Sequence, residues 1–230
     1  MTKPTIILVH GFWGDSAHWA EVIVLLNAKG YKQQAIEIPL TSLADDAERV
    51  QKAVKQVQDD VILVGHSYGG AVITEAGNLP NVVGLVYIAA FAPDKGESAA
   101  SISAQYPAFA ATENRLQPDS DGYLWIKTDG FHETFCQDVA KDKALVMAVT
   151  QKAPVASTFG DTITDPAWKA KPSWYQISKD DRCINPEAQK FMSSRIKAKK
   201  VIELNTGHAS LASQPEAVTN LIDEAAGTAR

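Results

Sequence analysis

Residues 61–70 read Val61-Ile62-Leu63-Val64-Gly65-His66-Ser67-Tyr68-Gly69-Gly70, and this stretch decides the fold class. Four apolar branched residues in a row have the pattern of a strand buried on both faces, as in a parallel sheet. The Gly-x-Ser-x-Gly that follows runs straight into the helical stretch Gly70 to Asn78. A serine oxygen held above a sheet needs this order of strand, sharp turn and helix, with flanking glycines so that the two elements can approach without a side-chain clash. Alone the motif is weak, and its bland reading is a glycine-rich structural turn. Its position between a strand and a helix gives it weight.

Outward from this unit, short β-branched runs alternate with segments of helical period, the signature of an α/β protein with a mostly parallel sheet. Thr5 to Val9 is read as the first strand and His18 to Lys29 as a helix stopped by Gly30. Tyr31 to Ile38 is a second strand ended by Pro39, and Leu43 to Gln58 an amphipathic helix with Val50, Val54 and Val57 on its buried stripe. Val82 to Ala90, Ser173 to Ser178 and Lys200 to Leu204 complete about six strands, with helices from Pro186 to about Ile196 and from about Pro215. After Ala92 the rhythm breaks for about 80 residues, far beyond an ordinary connection. The expected division is therefore a core of residues 1–91 and 171–230 with an inserted cap of residues 92–170. The cap carries Tyr106, Phe109, Tyr123, Trp125, Phe131, Phe135, Phe159 and Trp168. A helix near Lys141 to Lys152 and a hairpin around Thr128-Asp129-Gly130 are expected inside it. Most of its aromatic residues are expected to pack the cap and the rest to meet substrate.

Composition narrows the function. The 230 residues are 45% hydrophobic and 21% charged, and 22 Lys plus Arg against 27 Asp plus Glu give a net charge of -5. That is an ordinary globular chain without the basic footprint a phosphate backbone needs. No apolar run approaches the ~20 residues of a bilayer span, and no secretory signal precedes the first strand, so residue 1 is read as nearly the start of the fold. Cys136 and Cys183 lie far apart without metal-ligand spacing, which points to two reduced thiols in a cytoplasmic protein. Nothing indicates a homo-oligomer.

A serine hydroxyl needs a base, and the base needs a group that fixes its tautomer. Val201 to Leu204 leads through Asn205-Thr206-Gly207 to His208, and Ile177-Ser178-Lys179 leads to Asp180 and Asp181. Spacing leaves either carboxylate open as the third member. Two donors must face the developing oxyanion. They are assigned to the backbone amides of Tyr68, directly after the nucleophile, and of Phe12 in the His10-Gly11-Phe12-Trp13-Gly14 loop. The bulky side chains of Phe12 and Tyr68 are expected to shape a small, apolar substrate pocket. His10 and His66 are read as structural, His18 as opening a helix, and His132 as a cap residue with an outside chance of substrate contact. No histidine pair has metal-ligand spacing, so neither metal nor cofactor is expected.

Together the His10-Gly11-Phe12-Trp13 loop, Gly65-His66-Ser67-Tyr68-Gly69-Gly70, the insert, Asp181-Arg182-Cys183-Ile184-Asn185-Pro186 and Gly207-His208 resemble the α/β-hydrolase superfamily over nearly the whole chain. The first-loop and serine segments look like its small capped branch of plant methylesterases, hydroxynitrile lyases and bacterial esterases. That resemblance implies an α/β-hydrolase fold and a carboxylesterase-type serine hydrolase acting on small-molecule esters through an acyl-enzyme. It also selects Asp181, five residues before Pro186, as the acid. Hydroxynitrile lyases of this branch carry threonine after the first-loop histidine and lysine after the catalytic one, whereas this chain has Gly11 and Ala209. Related dehalogenases and epoxide hydrolases carry an aspartate nucleophile in place of Ser67. A lyase-like elimination, a slow-turnover ligand sensor and a peracid-forming activity are the alternatives on the same fold.

Overall fold

The computed structural model describes residues 3–229. Thr5–Val9 (β1) and Val61–His66 (β3) are buried at every position, as their unbroken apolar runs require. Gln33–Ile36 (β2), Gln-Gln-Ala-Ile, is only partly buried, which suits the sheet edge it occupies. With Val82–Ile88 (β4), Ser173–Ser178 (β7) and Lys200–Leu204 (β8) these strands form one six-stranded sheet in the order β2-β1-β3-β4-β7-β8. Every neighbouring pair is parallel.

Right-handed crossovers decide where the helices go. The path β1 to β2 runs one way across the sheet and places Ala20–Ala28 (α1) on one face. The paths β2 to β3, β3 to β4 and β7 to β8 run the other way and place Leu43–Lys55 (α2), Gly69–Ala76 (α3) and Pro186–Arg195 (α8) on the opposite face. Consistent with this, α2 packs on α3, while α1 packs on the last helix, Pro215–Thr228 (α10). Local signals set the ends. Ser42 caps α2 through Asp45 N–H, and Gly30, at φ +77°, lets the chain leave α1. His18 lies in a 3₁₀ turn, Ser16–Trp19, rather than in the helix expected from His18. There Asp15 takes the amide protons of Ala17 and His18, which sets a tighter turn ahead of α1.

The stretch between β4 and β7 holds Ala99–Gln105 (α4), Phe109–Thr112 (α5), the hairpin Leu116–Pro118 (β5) and Leu124–Ile126 (β6), Phe131–Phe135 (α6) and Lys141–Thr150 (α7). The hairpin is not at Thr128-Asp129-Gly130, which forms a 3₁₀ turn. Its bend falls earlier. Asp119 Oδ1 accepts the amides of Asp121 and Tyr123, and Gly122 takes φ +85°. An aspartate closing its own turn before a left-handed glycine competes well against Asp-Gly alone. The four-residue helix Ser210–Ser213 (α9), directly after His208, has no periodicity to announce it. Among the described residues no helix is long and apolar enough to cross a membrane.

Candidate active site

Parallel strands deliver their carboxyl ends to one edge of the sheet, and loops gather there. From β1 comes the loop 10–14, from β3 Ser67, from β7 Asp181 and from β8 His208.

Ser67 occupies a two-residue turn between β3 and α3 with φ +55°, a left-handed conformation that costs a non-glycine residue about 1 kcal/mol or more. Its carbonyl accepts the amides of Gly70 and Phe91, both at 3.0 Å, and its own amide donates to Ile88 O at 3.2 Å. Gly69 is obligatory, because a Cβ there would stand 2.5 Å from the carbonyl oxygen of Val9. Ser67 Oγ makes no hydrogen bond among the described residues.

The first loop wraps this turn. His10 Nδ1 donates to Gly11 O at 2.9 Å, and its Nε2 lies 3.2 Å from Ile38 N and 3.5 Å from Glu37 Oε1. A Cβ on Gly11 would stand 2.5 Å from Ser67 Cβ. Phe12 stacks on Tyr68 with ring centroids 3.9 Å apart, and Phe159 packs 4.4 Å from Phe12. Both Phe12 and Tyr68 are 1% exposed. Tyr68 Oη donates to Asp46 Oδ2 at 2.8 Å, and Asp46 Oδ1 accepts from Leu40 N–H at 2.7 Å. Burial pushes the Asp46 carboxyl up to about 6. Among the described residues neither the Phe12 nor the Tyr68 backbone N–H donates to a carbonyl or a side chain.

Asp181 and His208 meet directly. Asp181 Oδ2 lies 2.8 Å from His208 Nδ1, and Oδ1 accepts the amides of Cys183 and Ile184 at 2.8 and 2.9 Å. Gln189 Nε2 donates to the same Oδ2 at 2.8 Å. With Nδ1 facing a carboxylate, the neutral imidazole carries its proton there and leaves Nε2 as acceptor. Nε2 is buried without a partner. His66, the neighbour of Ser67, donates from Nε2 to the carbonyl of His208. No hydrogen bond joins Ser67 Oγ to His208, so that contact would have to tighten with substrate in place. Asp180 points elsewhere: it is exposed, and its backbone bonds Thr206 and the Gln137 amide.

Two histidines outside this pair take structural positions. His132 Nε2 is tied to Val139 O at 2.9 Å. Both ring nitrogens of His18 are buried without partners, and burial lowers its pKa to about 4 against the opposing field of Asp15. The insert reaches the site through backbone and through aromatic side chains. Trp13 Nε1 donates to Leu124 O at 2.7 Å, Trp13 N–H to Lys152 O at 2.9 Å, and Ala209 N–H to Phe135 O at 3.2 Å. Phe131 and Phe135 stack 5.0 Å apart, and Phe135 lies T-shaped to the His208 ring with centroids 5.0 Å apart. Among the described residues Asp181, Cys183 and His208 place possible ligand atoms within 4.8 Å of one another, but a cation there would have to break the bond from Asp181 to His208.

Asp46 and Gln189 escaped the sequence reading. Asp46 had a signal, since it lies four and eight residues before Val50 and Val54 on the buried stripe of α2. Gln189 had none beyond its helix.

A serine on a strained strand-to-helix turn, at the carboxyl edge of a parallel sheet and beside a buried carboxylate and imidazole, defines a hydrolase of the α/β class. The chain belongs to the alpha/beta hydrolase family, whose model matches residues 6–221. It is 27% identical over 249 aligned residues to "Probable hydrolase R7" of Phoma sp., covering 99% of this chain and all of that protein. It is 24% identical to "Methylesterase 8" of Arabidopsis thaliana, covering 96% and 88% of the two chains. The crystal structure of polyneuridine aldehyde esterase superposes with a TM-score of 0.83 at 18% identity, covering 97% of this chain and all of the other.

Proposed function

We propose that the chain is a carboxylesterase that cleaves small carboxylic esters by double displacement. Ser67 Oγ attacks the ester carbonyl while His208 Nε2 takes its proton, and Asp181 stabilises the imidazolium. The tetrahedral intermediate places its oxyanion against the amides of Phe12 and Tyr68. His208 returns the proton to the leaving alcohol, and a water activated by the same nitrogen hydrolyses the acyl-enzyme. No step calls for a metal or cofactor.

The observation that carries this reading is the 2.8 Å contact from Asp181 Oδ2 to His208 Nδ1, which leaves a buried, partnerless Nε2 on the sheet edge that also bears Ser67. The stacked rings of Phe12 and Tyr68, each 1% exposed, pack together the two loops that carry these amides, and a compact ester is the proposed substrate. Residues 92–170 act as the cap, hydrogen-bonded to Trp13 and Ala209 on either side of the site. The protein works in the cytoplasm on small molecules, where Cys136 and Cys183 stay free thiols.

The test is steady-state hydrolysis of p-nitrophenyl esters from acetate to decanoate by the wild type and a folded Ser67→Ala variant. Repeated turnover by the wild type and a loss of about 10³-fold or more in the variant are expected. Equal inertness of both, with organophosphate still labelling Ser67, would overturn the esterase assignment in favour of elimination or ligand sensing.

A further inference from the structure

We infer that Gln189 is a positioning residue, locking the Asp181 carboxylate in the one orientation that presents Oδ2 to His208. This inference rests on the catalytic reading of Asp181 and His208 given above. Gln189 lies on the first turns of α8, eight residues beyond Asp181, and is completely buried. All of its polar atoms are used. Nε2 donates to Asp181 Oδ2 at 2.8 Å and to Ile184 O at 3.1 Å, while Oε1 accepts the amide of Ser178 at 3.0 Å. One side chain thus ties the helix to the last residue of β7 and to the loop that carries the acid.

The geometry explains why a second donor on Oδ2 matters. The amides of Cys183 and Ile184 hold Oδ1, which fixes one corner of the carboxylate but leaves it free to pivot about that corner. Gln189 closes the pivot. Because its N–H donates to the charged form, it also draws electron density from the oxygen that faces the imidazole. Ser178 continues the arrangement: its hydroxyl meets Thr206 Oγ1 at 3.0 Å and receives Gln176 Nε2 at 3.1 Å, and Gln176 Oε1 accepts from Ser210 Oγ at 2.7 Å. Thr206 and Ser210 lie two residues on either side of His208. The acid loop and the histidine loop are therefore joined to Gln189 through one buried polar chain.

The titratable groups around the pair are His66 from β3, His18 from the turn before α1, Cys183 from the acid loop, Tyr175 from β7, and Cys136 and Asp138 from the segment after α6, where Asp138 Oδ1 faces Gly207. Burial holds His66 well below its ordinary range and His18 at about 4, and it raises both Cys183 and Tyr175. Burial thus disfavours the charged form of His66, His18, Cys183 and Tyr175 alike.

The experiment compares wild type with Gln189→Met, which keeps length and bulk but loses the donor, counting active sites with an organophosphate. Per titrated site, kcat should fall roughly tenfold or more with KM changed less than about twofold. The acid limb should move up by about half a pH unit or more, because a carboxylate stripped of this donor favours the imidazolium more strongly. Lost packing alone would reduce the number of active sites without moving the limb. An unmoved limb with kcat within about twofold overturns the assignment. Should Gln189→Met fail to fold, NMR of the wild type decides: the Gln189 side-chain amide must shift with pH in step with the His208 Nδ1 proton, and a pH-insensitive amide overturns the inference. That arm needs no turnover. Absence of both organophosphate labelling and ester turnover in the wild type would remove the esterase reading, while the NMR titration still judges the contact.

Discussion

His66 Nε2 donates a 2.9 Å hydrogen bond to the backbone carbonyl of His208, and the two imidazoles lie 4.6 Å apart. The residue beside Ser67 is thereby fastened to the backbone of the proposed base. Burial keeps His66 uncharged, so it serves as a neutral clamp and does not compete for the proton. His66→Phe would leave the His208 carbonyl without this donor. The expected result is a loss of about 1–3 kcal/mol in stability and roughly 10- to 100-fold in turnover. Thermal unfolding together with ester kinetics checks both, and wild-type turnover in the variant would show that the clamp is idle.

The two neighbouring carboxylates separate cleanly by experiment. Asp181→Asn should reduce kcat by about 10³- to 10⁴-fold, because the amide permits the wrong imidazole tautomer. Asp180 is exposed and only its backbone bonds the histidine loop, so Asp180→Asn should stay within about twofold. The reverse pattern would move the role to Asp180.

Gly11→Thr tests the closeness of the first loop to the serine. A Cβ at this position would stand 2.5 Å from Ser67 Cβ and 3.0 Å from Ser67 Oγ. Displacing the loop or the serine should lower kcat/KM by about 100-fold and slow organophosphate labelling in parallel. An unchanged labelling rate would mean that the loop yields without disturbing Ser67.

Asp46 and His18 pull stability in opposite directions between about pH 4 and 6. Asp46 has its folded pKa raised to about 6, so the folded state holds the extra proton and this stabilisation is lost as pH rises through 6. His18 has its folded pKa lowered to about 4, so the unfolded state holds the extra proton and stability grows with pH. Asp46→Asn should therefore steepen the rise of Tm across this window. The Asp46 contribution is on the order of 3 kcal/mol for a displacement of this size. A Tm profile parallel to wild type would refute the assignment.

Much of this molecule can be read along the chain. Val61 to Val64 and Thr5 to Val9 are apolar throughout because both faces of a parallel strand are covered, and Gly65 to Gly69 declares the turn because the backbones meet there. Those are local constraints, enforced residue by residue. The hairpin lies at Leu116–Ile126 rather than around Thr128-Asp129-Gly130, because the side-chain hydrogen bonds of Asp119 close the earlier turn.

Sequence by itself determined the α/β class and the six strands, and pointed to Ser67 and His208 as candidates, because periodicity and turn chemistry act over a few neighbours. Spacing left Asp180 and Asp181 open and the family resemblance pointed to Asp181, but only the tertiary structure brings its carboxylate onto the imidazole. Asp180 and Asp181 are chemically identical neighbours, and the difference is where the loop after β7 turns each side chain: Asp181 inward onto Ile184, Gln189 and His208, Asp180 outward to solvent. The same holds for Gln189 and Asp46, whose partners lie on other elements. Their roles come from three-dimensional contacts that burial makes strong, and the local pattern of α2 shows only that Asp46 lies on its buried stripe.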